Sequence, residues 1–167
     1  MASTRLRTAE KYISHFATLD KALLESLLAD SYRHEFAPIS LNAPGPFTKT
    51  GFMAHGAGLA DIMNGFPVTA KEHFECEASN SVVVWATSEA HFREELMDPG
   101  ISREEWEYRG EYVFMFTMDE GGEKIVRTVE FLDSASTKER LLGLMARARA
   151  NLEKVQGKGI DSLKHVE

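Results

Sequence analysis

The chain has 167 residues, of which 43% are hydrophobic and 27% charged, the size and composition of one ordinary folded domain, which argues against disorder. A formal net charge of −7 disfavours nucleic acid as a partner, because such binders need a basic face to release counterions. The single cysteine, Cys76, cannot close an internal disulfide, the N-terminus MASTRLRTAEKY has no apolar secretory core, and no run reaches the length of a membrane span, so a cytoplasmic protein with no membrane partner is expected.

The first 17 residues place Leu6, Ala9, Ile13 and Phe16 on one helical face, which predicts a helix over 4–17 with Ser3 or Thr4 as its N-cap. Asp20 caps a second short helix with Leu23, Leu24, Leu27 and Leu28 inside. A short strand is expected over 31–36, followed by a Pro- and Gly-rich loop from Pro38 to Pro46. A third helix is expected over 49–63. Gly56 and Gly58 weaken it and permit close approach of another backbone or a ligand.

From Val68 onward the residues are β-branched and aromatic. Strands are expected over 69–78, 81–92, 107–118 and 123–133. The turns at Asn80 and at Glu120-Gly121-Gly122 make two antiparallel hairpins, and a polar loop over 97–105 separates them. Ser136, three residues before Glu139, has capping-box spacing and starts the last helix. Its apolar stripe is Leu141, Leu144, Met145, Ala148 and Leu152. Arg140, Arg147 and Arg149 lie off that stripe and read as a solvated face. Gly157 and Gly159 mark 154–167 as a mobile tail. Helices followed by hairpin-linked strands make an α+β domain over 1–167, not a parallel βαβ fold. Four long strands twist and curl around the helices, and the space inside such a curl is a natural small-molecule pocket.

This order of elements resembles the NTF2-like superfamily, the cone-shaped α+β fold with a curved antiparallel sheet covered by three N-terminal helices and a C-terminal helix. Within it the chain looks most like the SnoaL-like branch found in fungal secondary metabolism. The resemblance rests on His34-Glu35-Phe36-Ala37-Pro38-Ile39-Ser40-Leu41, Val83-Val84-Trp85-Ala86, Gly110-Glu111-Tyr112-Val113-Phe114 and the run from Lys124 to Ser134. It implies cofactor-free chemistry on a bulky hydrophobic substrate: polyketide cyclisation, isomerisation of a meroterpenoid or alkaloid, or a rearrangement. Relatives include dehydratases, ketosteroid isomerases and plain binding modules, so the reaction has to be argued from the site. The superfamily also implies a homodimer through the outer sheet face, here Val113, Met115, Val129 and Phe131.

Strand alternation sets which side chains share a face. Tyr108, Gly110, Tyr112, Phe114 and Phe116 form one such set; Val126, Thr128, Glu130 and Leu132 form another. Counting outward from the turn at 120–122 pairs Tyr112 with Glu130 and sets Phe114 away from it. A carboxylate among phenols is a proton-transfer group, and tyrosine hydroxyls hold a developing oxyanion. On the short strand, either Arg33 with Glu35 or Tyr32 with His34 and Phe36 faces the pocket. Arg33 is preferred, as a forked donor to a substrate oxygen, with His34 as the alternative, a general base.

The candidate catalytic set is therefore Arg33, Tyr108, Tyr112 and Glu130; His34, His55, Trp85, Phe114 and Thr128 are candidate substrate contacts. No His pair has metal-ligand spacing, Gly56-Ala57-Gly58 is not a dinucleotide fingerprint, and there is no Gly-x-Ser-x-Gly elbow. Neither a metal nor any other cofactor is expected. The favoured function is a cofactor-independent isomerase or cyclase performing an acid–base rearrangement, such as a semipinacol shift or ring expansion. A non-catalytic binding module, an interaction domain and a dehydratase are the rivals.

Overall fold

A computed structural model describes residues 2–163, with side chains to residue 157. Helix α1, Thr4–His15, starts at Ser3, whose hydroxyl accepts from the Leu6 amide. Helix α2, Lys21–Leu27, starts at Asp20, which accepts from Leu23. Each cap satisfies an amide that the first turn leaves without a partner. Strand β1, Leu28–Ala37, follows α2 without a loop, so it is longer than the six residues expected. Then come β2, Phe47–Thr48, and α3, Lys49–Ala60. Helix α3 ends before residue 63 because the chain enters β3, Met63–Gly65. Gly56 and Gly58 are not points of close approach, since a Cβ at either would meet nothing within 4 Å.

The remaining strands are β4, Val68–Cys76; β5, Ser81–Glu89; β6, His91–Phe92; β7, Arg109–Met118; and β8, Ile125–Leu132. The strand expected over 81–92 breaks at Ala90, after which β6 leaves the main sheet and pairs with β3. The main sheet has the order β2-β1-β8-β7-β5-β4. It is antiparallel except where β1 runs parallel to β8, and it curves without closing. Buried inner faces alternate with outer ones along β5 and β7, as period-two side chains require when one face packs on a core.

The β7–β8 register differs from the count made outward from 120–122. Tyr112 faces Leu132, and Phe114 faces Glu130. Two features produce the offset. The turn closes between Asp119 and Lys124, half a residue beyond the assumed centre, and the ladder shifts between Thr117 and Met118. A slip of two residues preserves the face, so Glu130 still points inward.

Helix α1 lies in the concavity, burying Ala9, Tyr12 and Ile13. Tyr12 meets Phe116 edge-on at 4.9 Å, and Phe114 stacks parallel to Phe116 at 5.9 Å. The final helical run begins with α4, Ser134–Ser136, capped by Asp133 through the Ala135 and Ser136 amides at 3.1 Å. Ser136 is thus inside the helix and not its cap. A π turn, Thr137–Leu141, leads into α5, Leu142–Leu163. The helix continues past Gly157 and Gly159; residues 164–167 of the expected tail lie outside the described residues. The arginines of this helix are not simply solvated. Arg140 donates to the carbonyls of Glu107 and Glu104 at 2.6 and 2.9 Å, and Arg147 pairs with Asp98 and covers the Trp106 ring.

Gly65 is where the chain crosses the end of α1: Phe66 donates to the Phe16 carbonyl at 2.8 Å, and a Cβ on Gly65 would stand 2.1 Å from the Ala17 carbonyl oxygen. Neither backbone can give way cheaply. Gly65→Ala is expected to cost about 1–3 kcal/mol, the range for overpacking a tight contact, read as a lowered urea midpoint at unchanged slope.

Candidate ligand-binding and active site

Between α1, α3, α5 and the inner sheet face lies a cavity of about 160 Å³. Its wall is apolar for most of its extent, with Phe36 from β1, Phe52 and Leu59 from α3, Phe66, and Leu141 and Met145 from the C-terminal run. Loop residues Leu41, Ala43 and Pro44 form one side. Tyr112, Glu130, Thr137, His15 and His55 are the polar groups of the wall.

Glu130 is 8% exposed and reaches the cavity from β8. Its Oε2 lies 3.4 Å from Nε2 of His34, which is wholly buried. That separation is longer than a formed hydrogen bond, and no other protein atom pairs with Nε2. It is an electrostatic contact that a small movement can tighten. The other ring nitrogen, Nδ1, is 3.0 Å from the Tyr32 hydroxyl. A hydroxyl donating to Nδ1 leaves the Nε2 proton facing Glu130. The imidazole stacks on Phe52 with centroids 3.9 Å apart, which fixes its plane. Burial pushes the Tyr32 phenol well above its ordinary value, so it stays a proton donor. The carboxylate is thus backed by an imidazole, and the imidazole by a phenol.

A second polar group sits diagonally across the β7–β8 ladder. The Tyr108 and Tyr112 hydroxyls are 3.1 Å apart, and Tyr108 lies 3.4 Å from Thr137 Oγ1 on the π turn. Gly110, between them on the same face, leaves the room: a Cβ there would stand 2.4 Å from the Tyr108 hydroxyl and 2.7 Å from that of Tyr112. Burial raises the Tyr112 phenol, and the neighbouring Tyr108 adds to it. Tyr112 is therefore an O–H donor at any physiological pH. The diagonal from Tyr112 to Glu130 is roughly 7–8 Å in such a ladder, the span of a small group placed between them.

Of the expected site residues, Glu130, Tyr112 and His55 line the cavity. Tyr108, His34, Phe114 and Thr128 stand behind the wall: all four are buried, and none lines the cavity. Arg33 is a correction. It is exposed and faces away from the core, while Tyr32 and His34 point inward. The physical reason is the choice offered by alternation: one face of β1 had to be buried, and rings are far cheaper to desolvate than a guanidinium. Trp85 is a second correction. It lies on the outer face of β5, where its Nε1 donates to Glu111 at 2.6 Å and the Lys71 ammonium sits 3.8 Å from its ring centroid.

The sequence reading missed Thr137, Phe52 and Phe66, and held Tyr32 only as part of the strand face it did not prefer. Thr137 stands at the start of the π turn, its amide bonded to the Asp133 carbonyl at 3.0 Å, and no local signal announced its contact with Tyr108. Gly110 inside an aromatic strand was a legible sign of close approach. Among the described residues no three His, Cys, Asp or Glu side chains converge as a metal site, and no helix is long and apolar enough to cross a membrane. Two larger clefts, of about 460 and 540 Å³, run along the ends of β5 and β7. They share Glu89 and Arg109, already paired at 3.4 Å, and the first also holds the Arg103–Glu94 pair.

His15 lines the cavity from the end of α1. Burial lowers its pKa to about 4, although its contact with the Tyr12 carbonyl opposes the shift. The unfolded chain takes up this proton near pH 6.5 and the folded chain does not, so stability falls as pH drops from about 6.5 towards 4. The loss amounts to roughly 3 kcal/mol at most. His15→Gln, which cannot titrate, is expected to flatten that limb in urea unfolding measured at a series of pH values.

No family model matches the sequence, and no curated protein matches it. Solved structures do. AusH from Aspergillus nidulans is 25% identical over 78% of this chain and 84% of its own, with a TM-score of 0.66. BvnE pinacolase from Penicillium brevicompactum is 19% identical over 87% of this chain and 96% of its own, with a TM-score of 0.73. An NTF2-like protein from Burkholderia thailandensis E264 is 12% identical over 84% and 98%, with a TM-score of 0.61. The chain has the NTF2-like fold, a curved sheet covered by helices, that these structures share.

Proposed function

We propose that the protein is a cofactor-independent isomerase or cyclase acting on an apolar biosynthetic intermediate. The observation that carries this reading is one apolar cavity holding a buried carboxylate backed by an imidazole, with a phenol pair diagonally across from it. Glu130 takes a proton from the substrate and returns it at another position, so the elemental composition does not change. His34 stabilises the carboxylate, and Tyr112, held by Tyr108, donates to the substrate oxygen on which negative charge develops. The apolar wall holds the substrate in a reactive conformation and excludes water. Arg33, on the outer face, takes no part. The likeness to BvnE, which its structure names a pinacolase, supports a rearrangement of semipinacol type or a ring expansion. Such a pathway enzyme of fungal type would work in the cytoplasm. A dehydratase is the second reading, favoured by the nearness of His34 to Glu130, since an imidazole–carboxylate pair can remove a proton and protonate a leaving hydroxyl.

Metabolite profiling of a strain lacking the protein separates these readings. An isomerase deletion replaces the final compound with one of identical mass; a dehydratase deletion leaves one heavier by a water. Glu130→Gln, shown to fold by its unfolding midpoint, is expected to lower turnover by a factor of about 10² or more. Restoration of the full metabolite level by that variant would sink the assignment of Glu130 and favour a binding module.

We also propose that two copies associate through the outer sheet face. Phe131 and Met115 are 46% and 37% exposed there, next to Val113 and Val129 in the β7–β8 ladder. Phe131→Asp is expected to yield a monomer by light scattering, where the parent chain runs as a dimer.

A further inference from the structure

The cavity has an unusual charge inventory. Glu130 is its one carboxylate, and no lysine or arginine lines it. Among the described residues the only ionic partner within 4 Å of Glu130 is His34, which is not part of the wall. The wall's own imidazoles do not supply positive charge. Burial is the largest influence on both His15 and His55, and it lowers both. Around the carboxylate the wall is rich in rings: Phe16, Phe36, Phe52, Phe66 and Tyr112. Ring faces carry negative electrostatic potential and attract organic cations, all the more when water is excluded. A carboxylate with aromatic walls is the chemistry that recognises an ammonium group. It is poor chemistry for an anion, which would meet like charge with no donor cation to offset its desolvation.

We propose that the group inserted into this cavity is a protonated amine carried on an apolar body, seated between the Glu130 carboxylate and the rings. The inference rests on the assignment of this cavity as the ligand site, and it narrows the substrate to nitrogenous bases. It also places the protein in a reaction sequence: the step before it delivers an intermediate with a basic nitrogen still free, neither acylated nor part of an amide. The volume is consistent with partial insertion. About 160 Å³ is room for one ring-sized group, since an apolar cavity of roughly 150 Å³ accepts benzene. The rest of a larger substrate would extend past the loop that carries Leu41 and Pro44.

Three probes of nearly equal size and shape test this: benzylamine, benzyl alcohol and benzoate, which are cationic, neutral and anionic near neutral pH. Their binding is followed by NMR titration of the full chain, reading the shifts of cavity residues. Benzylamine is expected to bind about tenfold more tightly than benzyl alcohol, and benzoate more weakly than either. In Glu130→Gln the preference for the amine should vanish while the affinity for the alcohol stays the same. Equal affinity of all three probes in the parent chain would overturn the inference and leave the cavity as a ligand site. Benzoate binding most tightly would also overturn it. Absence of binding by every probe would remove the cavity assignment and the inference together. The charge series in the unmutated chain decides the question even if the variant does not fold.

Discussion

The parallel contact between β1 and β8 sets the geometry of the whole pocket. It puts His34 beside Thr128 and Phe36 beside Glu130, and it orients the inner face of β1 towards the same volume that β8 faces. It also joins the first strand to the last hairpin, pairing residues 28–37 with 125–131. The α1–α2 pair must then sit in the concavity, where Tyr12 packs on Phe114 and Phe116. If β1 were displaced by one residue, every side chain on it would exchange faces. Arg33 would enter the core, and His34 would leave the carboxylate.

A buried carboxylate is a liability unless its surroundings compensate for lost water. Here the compensation is incomplete. Glu130 has His34 at 3.4 Å behind it and an apolar cavity in front. Diagonally across the β7–β8 ladder, the phenol pair exists because residue 110 has no side chain. Both polar groups are held by rigid strands and backed by a second layer: Tyr32 and Phe52 behind His34, Thr137 behind Tyr108. An incompletely satisfied carboxyl group in a preorganised cavity is the kind of local cost expected at the proposed site. It separates this volume from the outer clefts, where Glu89 pairs with Arg109 and Glu94 with Arg103 in reach of solvent.

The fold itself carries little information about reaction, since one architecture hosts many chemistries. Similarity to AusH and BvnE establishes the frame. Within it, the chemistry depends on which side chains turn inward, and those are read from the geometry of this chain. The outer sheet face follows a different logic. Trp85, Glu111 and Lys71 form a surface cluster there, beside the exposed Phe131 and Met115.

Much was legible from the amino-acid sequence alone. Local chemistry determined the cap at Asp20, narrowed that of the first helix to Ser3 or Thr4, and determined the Pro-rich loop, the two hairpins and the α+β class, because each depends on residues near one another in the chain. Period-two alternation also determined that Tyr108, Tyr112, Phe114 and Phe116 share a face, and that Thr128 and Glu130 share another. Alternation says which residues go together; it does not say which side is inside. Only the tertiary structure decided that Tyr32 and His34 face inward while Arg33 and Trp85 face out, because that choice depends on what the opposite strand and helix bury. Tertiary structure likewise decided the offset that sets Phe114 opposite Glu130, through a turn and a ladder shift with no signature of their own. The contact of Thr137 with Tyr108 belongs to the same class, since it joins residues 29 apart in the chain.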